Sequence, residues 1–306
     1  MNTNWTLSRR RFLGLTAVTA AGLIVSPELF ARSGRQPVLR FGMLSDVHYA
    51  DREPAGSRFY RQSLDKAKEA IDQMNRGKLD FAIEMGDFKD QDVVPNEANT
   101  LKYLTDIESV FRQFNSPTYH VLGNHDMDGI SKQQFLERIE NTDISSTESY
   151  YSFNRKGIHL VVLDGNFTKG GRAYDHGNFH WEDALIPVEE INWLKDDLKK
   201  NKLPVIVFIH QMLDDSKNVK QAVQNAAEVR QILEQSGNVL CVFQGHVHEE
   251  RYNLINGIHY YSVNAAVEGD GPENNAYMIV EVYKDGSLKI DGFRQATDRE
   301  FKSVRS

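Results

Sequence analysis

Five apolar runs of strand length in this chain end on side chains that bind metals or carry protons. VLRFGMLSD at 38–46 continues into VHYAD, bringing Asp46 and His48, and LDFAIEMGD at 79–87 ends on Asp87. TYHVLGN at 118–124 ends on Asn124, with His125 and Asp126 next, and PVIVFIH at 204–210 ends on His210. VLCVFQG at 239–245 is followed by His246 and His248. Near-continuous apolar strands separated by helices form parallel sheets buried on both faces. In such sheets ligands collect beyond the carboxyl ends of the strands. One edge is therefore expected to gather three aspartates, one asparagine and five of the ten histidines.

Between these runs the apolar period becomes helical. Residues 57–76 place Leu64, Ala67, Ile71 and Met74 on one face, and 96–114, 188–200 and 218–235 behave alike. After residue 250, IHYYSVNA, AYMIVEVY and SLKIDGF read as strands, with KDG at 284–286 as a hairpin turn. This predicts an α/β domain with a largely parallel sheet and a second, antiparallel element packed on it. A single domain is expected over 36–297, preceded by a segment at 1–31 and followed by a tail at 298–306.

That first segment differs from the rest. Arg9, Arg10 and Arg11 lead into an uncharged stretch from Phe12 to Val25, with a small-residue cleavage point at Ala31. The stretch is short for a membrane span and suits a signal h-region. Its twin arginines resemble an export signal read by the twin-arginine machinery, a transient partner, which places the protein in the periplasm. Left uncleaved, the segment would serve as a membrane anchor. The formal charge is −7 and the pI about 5.8, which argues against a nucleic-acid surface. The one cysteine, Cys241, sits inside an apolar run and reads as a packed thiol.

Glycine precedes Asp87, Asn124 and His246, letting the chain leave each strand sharply. The D-x-H and H-x-H spacings put both residues on one face if extension continues. If the backbone turns instead, the two can serve different ions. Taken singly, each residue has an ordinary role as a cap, turn or core residue, and His120, His159, His176, His180 and His259 keep that reading. Five strand ends with compatible chemistry together indicate a binuclear metal site. Asp51 and Asp90 are either partners of ligands or solvated loop residues.

D-x-H, G-D-x-x-D, G-N-H-D, a strand-end histidine and G-H-x-H, in this order, resemble the calcineurin-like metallophosphoesterase family over roughly 38–295. The resemblance implies a two-sheet β-sandwich flanked by helices, in four αββα layers. It implies that Asp46, His48, Asp87 and His248 hold one metal, and that Asp87, Asn124, His210 and His246 hold the other. It gives His125 the place above the scissile phosphate, oriented by Asp126. His210-Gln211-Met212 departs from the family's usual proline two residues after that histidine, which leaves the ligand in place and changes the loop beyond it.

Two dications roughly 3.5–4 Å apart neutralise phosphate oxygens and supply hydroxide at neutral pH for in-line attack. The mixed carboxylate and imidazole set suits Mn, Fe, Zn or Co. The implied activity is phosphoester hydrolysis of phosphodiester or pyrophosphate bonds in nucleotide-like small molecules. The alternatives are a general phosphomonoesterase, a cyclic-nucleotide phosphodiesterase, or a metal-binding module without turnover. There is no G-x-S-x-G elbow and no H-E-x-x-H helix to support another enzyme class. A narrower likeness, YAD followed by R-x-Y-R-x-S at 58–63, resembles the manganese-dependent ADP-ribose/CDP-alcohol diphosphatase branch. The glycine-punctuated loop 165–187 offers Arg172 for a second phosphate and Tyr174, Phe179 and Trp181 for stacking a base; the other reading is a loop that packs its own aromatics.

Overall fold

Why two sheets form, and not one, follows from which strands share a helix layer. The computed structural model describes residues 35–214 and 220–304, so the export-type segment 1–31 lies outside the described residues. Strands β1 (Leu39–Leu44), β2 (Phe81–Glu84) and β3 (Thr118–His120) pair in parallel. They share a sheet with β10 (Ala276–Val282), β11 (Leu288–Arg294) and β12 (Arg299–Phe301) in the order β12-β11-β10-β1-β2-β3. The other sheet runs β4-β5-β6-β7-β9-β8. Its strands are β4 (Tyr151–Arg155), β5 (Ile158–Val162), β6 (Val205–Ile209), β7 (Val239–Gln244), β8 (Arg251–Ile255) and β9 (Ile258–Ser262).

The expected separate antiparallel element therefore does not exist. The late strands are divided, β8 and β9 extending one sheet and β10 to β12 the other. A continuous apolar strand signals burial on both faces, but not whether the covering layer is a helix or another sheet. Residues 299–301, read from sequence as tail, form an edge strand whose Phe301 is buried against His259 and Tyr252.

Three apolar clusters define the layers. Between the sheets lie Phe41, Phe81, Phe208 and Phe243, with Cys241 buried among them as a free thiol. On the outer face of the first sheet pack helices α1 (Ser63–Arg76) and α2 (Glu97–Phe111). Helix α1 buries Ala67, Ala70, Ile71 and Met74, the helical spacing seen in sequence. The Asn96 side chain caps α2 by accepting from Asn99 N at 3.0 Å. After the short α3 (Lys132–Leu136), helices α4 (Val188–Lys200) and α5 (Ala226–Ser236) cover the second sheet through Ile191, Leu194, Val229 and Leu233.

Helix α5 starts later than the 218–235 periodicity predicts. Residues 221–223 instead pair with the loop after β6, Met212 N to Gln221 O at 3.0 Å and Val223 N to Met212 O at 3.1 Å. Asn225 is tied to Ile186 through both amide groups.

Candidate metal centre

The carboxyl ends of β1, β2, β6 and β7 and the loop after β3 meet at one place, and there the backbone leaves the strands abruptly. Asp46, His48, Asp87, His246 and His248 all have positive φ, between 47° and 72°. They are half of the ten non-glycine residues so placed among the described residues. That left-handed conformation is unfavourable for side chains other than Asn and Asp and clusters at functional sites. The D-x-H and H-x-H pairs thus turn and do not continue extended.

Close approach replaces glycine's conformational freedom as the reason for two of the three preceding glycines. Only Gly86 has positive φ. A Cβ on Gly123 would lie 2.1 Å from Asp87 N, and one on Gly245 would lie 2.5 Å from Ser45 Oγ and 2.9 Å from Asp46 Oδ2. Any side chain there would push the carboxylates out of place.

Among the described residues, ligand-type atoms of Asp46, His48 and His248 form one group and those of Asp87, His210 and His246 another. This is the partition the family resemblance implies. His248 Nε2 lies 3.3 Å from Asp46 Oδ1 and 3.3 Å from His48 Nε2. Asp87 Oδ2 stands between the groups, 3.5 Å from His48 Nε2 and 3.2 Å from His210 Nε2. Asn124 is buried beside them, and its Oδ1 has no hydrogen-bond partner.

These residues fit divalent cations on their own geometry. Two imidazole nitrogens facing each other, and a buried amide oxygen without a donor, are costly unless a cation lies between them. Burial holds His48 down to about 4, and burial with the nearby charge of His210 holds His246 down to about 3, so both present neutral rings. Burial opposes charge on His210 and His248 too, but Asp87 raises the first to about 10 and Asp46 the second to about 9. Burial alone would raise Asp87; the positive field of His210, His125 and His48 holds it well below the usual carboxylate range.

Three of the four ligand histidines are aimed by their other nitrogen. His48 Nδ1 meets Asp90 Oδ2 at 3.2 Å, His248 Nδ1 meets Glu268 Oε1 at 2.5 Å, and His210 Nδ1 meets Met85 O at 2.9 Å. Such outer partners fix tautomer and ring direction. His48, Asp90 and His125 also lie close enough to hold an ion. Asp90 already engages His48 Nδ1, while Nε2 points at Asp87 and His248, so Asp90 reads as the orienting partner.

The R-x-Y-R-x-S stretch supports this outer layer. Arg58 lies 4.0 Å from Glu268, and Tyr60 is buried beneath Arg52, whose guanidinium reaches Asp90 at 3.3 Å. Asp51 is exposed and pairs with Arg61. Glu268 was not among the expected site residues; it lies on the loop after β9, away from the strand-end motifs.

Two expected roles need correction. Asp126 does not orient His125: its carboxylate is buried and accepts from the backbone N–H of Gly123 at 2.8 Å, Phe88 at 2.9 Å and Asp87 at 3.1 Å. His125 Nδ1 instead meets Asp128 Oδ2 at 2.6 Å. Residues His125–Met127 form a 3₁₀ turn, in which side chains three apart eclipse, so Asp128 and not Asp126 comes alongside. Tyr174 is fully buried and stacks on Phe179 at 3.9 Å, so it cannot receive a base. Arg172 is exposed at a turn where Thr168 N donates to its carbonyl. Trp181 is 40% exposed and its ring lies 5.7 Å from that of His246.

Two stacked mixed sheets between helix layers, with two ligand clusters at their shared edge, define a dinuclear metallohydrolase. The chain belongs to the calcineurin-like phosphoesterase family, whose sequence model matches residues 39–250, and it is a phosphoester hydrolase. It is similar to the manganese-dependent ADP-ribose/CDP-alcohol diphosphatase of Oryza sativa subsp. japonica, 26% identical over 86% of this chain and 94% of that protein. The protein of that name in Arabidopsis thaliana is also 26% identical, over 89% of this chain and 99% of its own. The fold matches the crystal structure of a dimetal phosphatase from Danio rerio with a TM-score of 0.75, at 19% identity over 87% of this chain and 99% of that one.

Proposed function

We propose that this chain hydrolyses the pyrophosphate bond of nucleoside-diphosphate derivatives. The observation that carries the reading is the pairing of His125 with Asp128 beside two ligand clusters that share Asp87. Asp46, His48, Asp87 and His248 would hold one ion, and Asp87, Asn124, His210 and His246 the other. Such ions neutralise phosphate oxygens and activate water near neutral pH.

The chain's own residues supply position and a proton. Asp87 and Asp46 offset the dications, while Asp90, Glu268 and the Met85 carbonyl keep three imidazoles aimed. With Nδ1 engaged by Asp128, His125 has Nε2 left to donate to the leaving oxygen as negative charge develops. Trp181, exposed beside His246, would be the aromatic that meets a base. The names of the two plant relatives support nucleoside-diphosphate substrates over simple monoesters.

The test is product analysis of the purified full chain loaded with Mn. It should release AMP and ribose 5-phosphate from ADP-ribose, and CMP and phosphocholine from CDP-choline. Turnover confined to AMP or cyclic AMP would contradict pyrophosphate cleavage and favour the monoesterase or cyclic-phosphodiester alternative.

A further inference from the structure

Lys89 is completely buried, two residues after Asp87. A buried ammonium beside a site for two dications is electrostatically unwelcome, so its contacts have to account for it. Its Nζ donates to two backbone carbonyls, His125 O at 2.5 Å and Asp128 O at 2.6 Å. Those are the residues that form the proton-donor pair. His125 O also accepts from Asp128 N at 3.1 Å, the bond that closes the turn.

The clasp works in both directions. The loop after β3 sends the Asp126 carboxylate into the N–H groups of Asp87 and Phe88, and the loop after β2 returns the Lys89 ammonium to the carbonyls of His125 and Asp128. Asp126 fixes where the turn begins relative to the ligand Asp87, and Lys89 fixes where its carbonyl end lies. The separation and tilt of the His125 and Asp128 side chains depend on that end. We infer that Lys89 is a positioning residue for the His125–Asp128 pair, holding the imidazole against the leaving oxygen without touching substrate or metal. This rests on the reading of His125 as proton donor. A group that aligns a donor matters in proportion to how much the leaving oxygen needs its proton.

The test compares Lys89→Met, Lys89→Arg and His125→Ala in the full chain loaded with Mn. Two phosphodiesters of thymidine 5′-phosphate serve as probes, one with 4-nitrophenol and one with methanol as leaving group. Lys89→Met should lower kcat on the methyl ester by about 30-fold, within the range of proton-transfer contributions, and on the nitrophenyl ester by less than about threefold. KM and metal content should stay unchanged. Lys89→Arg, which keeps the donors, should restore much of the loss and remains interpretable if the methionine variant folds poorly. In the Lys89→Met/His125→Ala double variant the losses should not add.

Equal loss on both esters in Lys89→Met, with His125→Ala selective for the methyl ester, would overturn the role of Lys89 alone. If His125→Ala also loses both equally, the proton-donor reading fails and the inference falls with it.

Discussion

Replacing His125 with alanine is expected to lower kcat about 10²- to 10⁴-fold while the protein keeps both metal ions. His125 is absent from the two clusters built on Asp46 and Asp87, and its Nδ1 is taken by Asp128 at 2.6 Å. Its side chain is partly exposed, unlike those of His48 and His210, as a group meeting substrate at the rim should be. The loss should fall on kcat more than KM, because the hydrogen bond strengthens only as the leaving oxygen gains charge. Steady-state kinetics alongside elemental analysis checks this. Wild-type turnover in the variant, or loss of metal with it, would remove His125 from the chemistry.

Asp87→Asn is expected to be as damaging for a different reason. Asp87 Oδ2 faces both His48 and His210, and Oδ1 accepts from His125 N at 2.7 Å. One carboxylate therefore links both clusters and the proton-donor turn. Asparagine has the same shape and tolerates the positive φ of this position, so the fold should survive. What is lost is the negative charge between two dications. We expect kcat to fall roughly 10³-fold and at least one ion to be lost on dialysis. Thermal unfolding of the metal-free forms separates this from misfolding: the variant should still unfold cooperatively but somewhat below the wild type at neutral pH, because His210, His125 and His48 favour Asp87 as an anion even without cations. Two tightly held ions and full activity in Asp87→Asn would exclude its place between the sites.

The sequence reading succeeded where chemistry and chain direction coincide. A strand ending on Asp, Asn or His delivers that side chain to the sheet edge whatever the packing elsewhere, which is why the linear pattern pointed to Asp46, Asp87, Asn124, His210 and His248. It failed where direction depends on a turn. Asp126 follows His125 directly, but the 3₁₀ turn sends its carboxylate into the backbone of 87–88 and brings Asp128 round instead. Glu268 reaches His248 from a distant loop, held there in part by Lys66, whose Nζ donates to Ala266 O and Glu268 O at 2.9 Å. No local spacing encodes such a contact. The sheets show the same limit: apolar runs marked nine of the twelve strands and missed the edge strands β4, β8 and β12, while the two stacked sheets, expected only from the family resemblance, arise as Phe41 and Phe81 meet Phe208 and Phe243.

The central claim is a site for two divalent ions that together produce phosphoester hydrolysis. Its most direct test strips the full chain with a chelator, then adds Mn stepwise while metal content and ADP-ribose hydrolysis are followed on the same samples. Activity should be absent in the stripped protein and rise to a plateau at two ions per chain. Full activity with one ion, or hydrolysis that persists without any, would contradict the account.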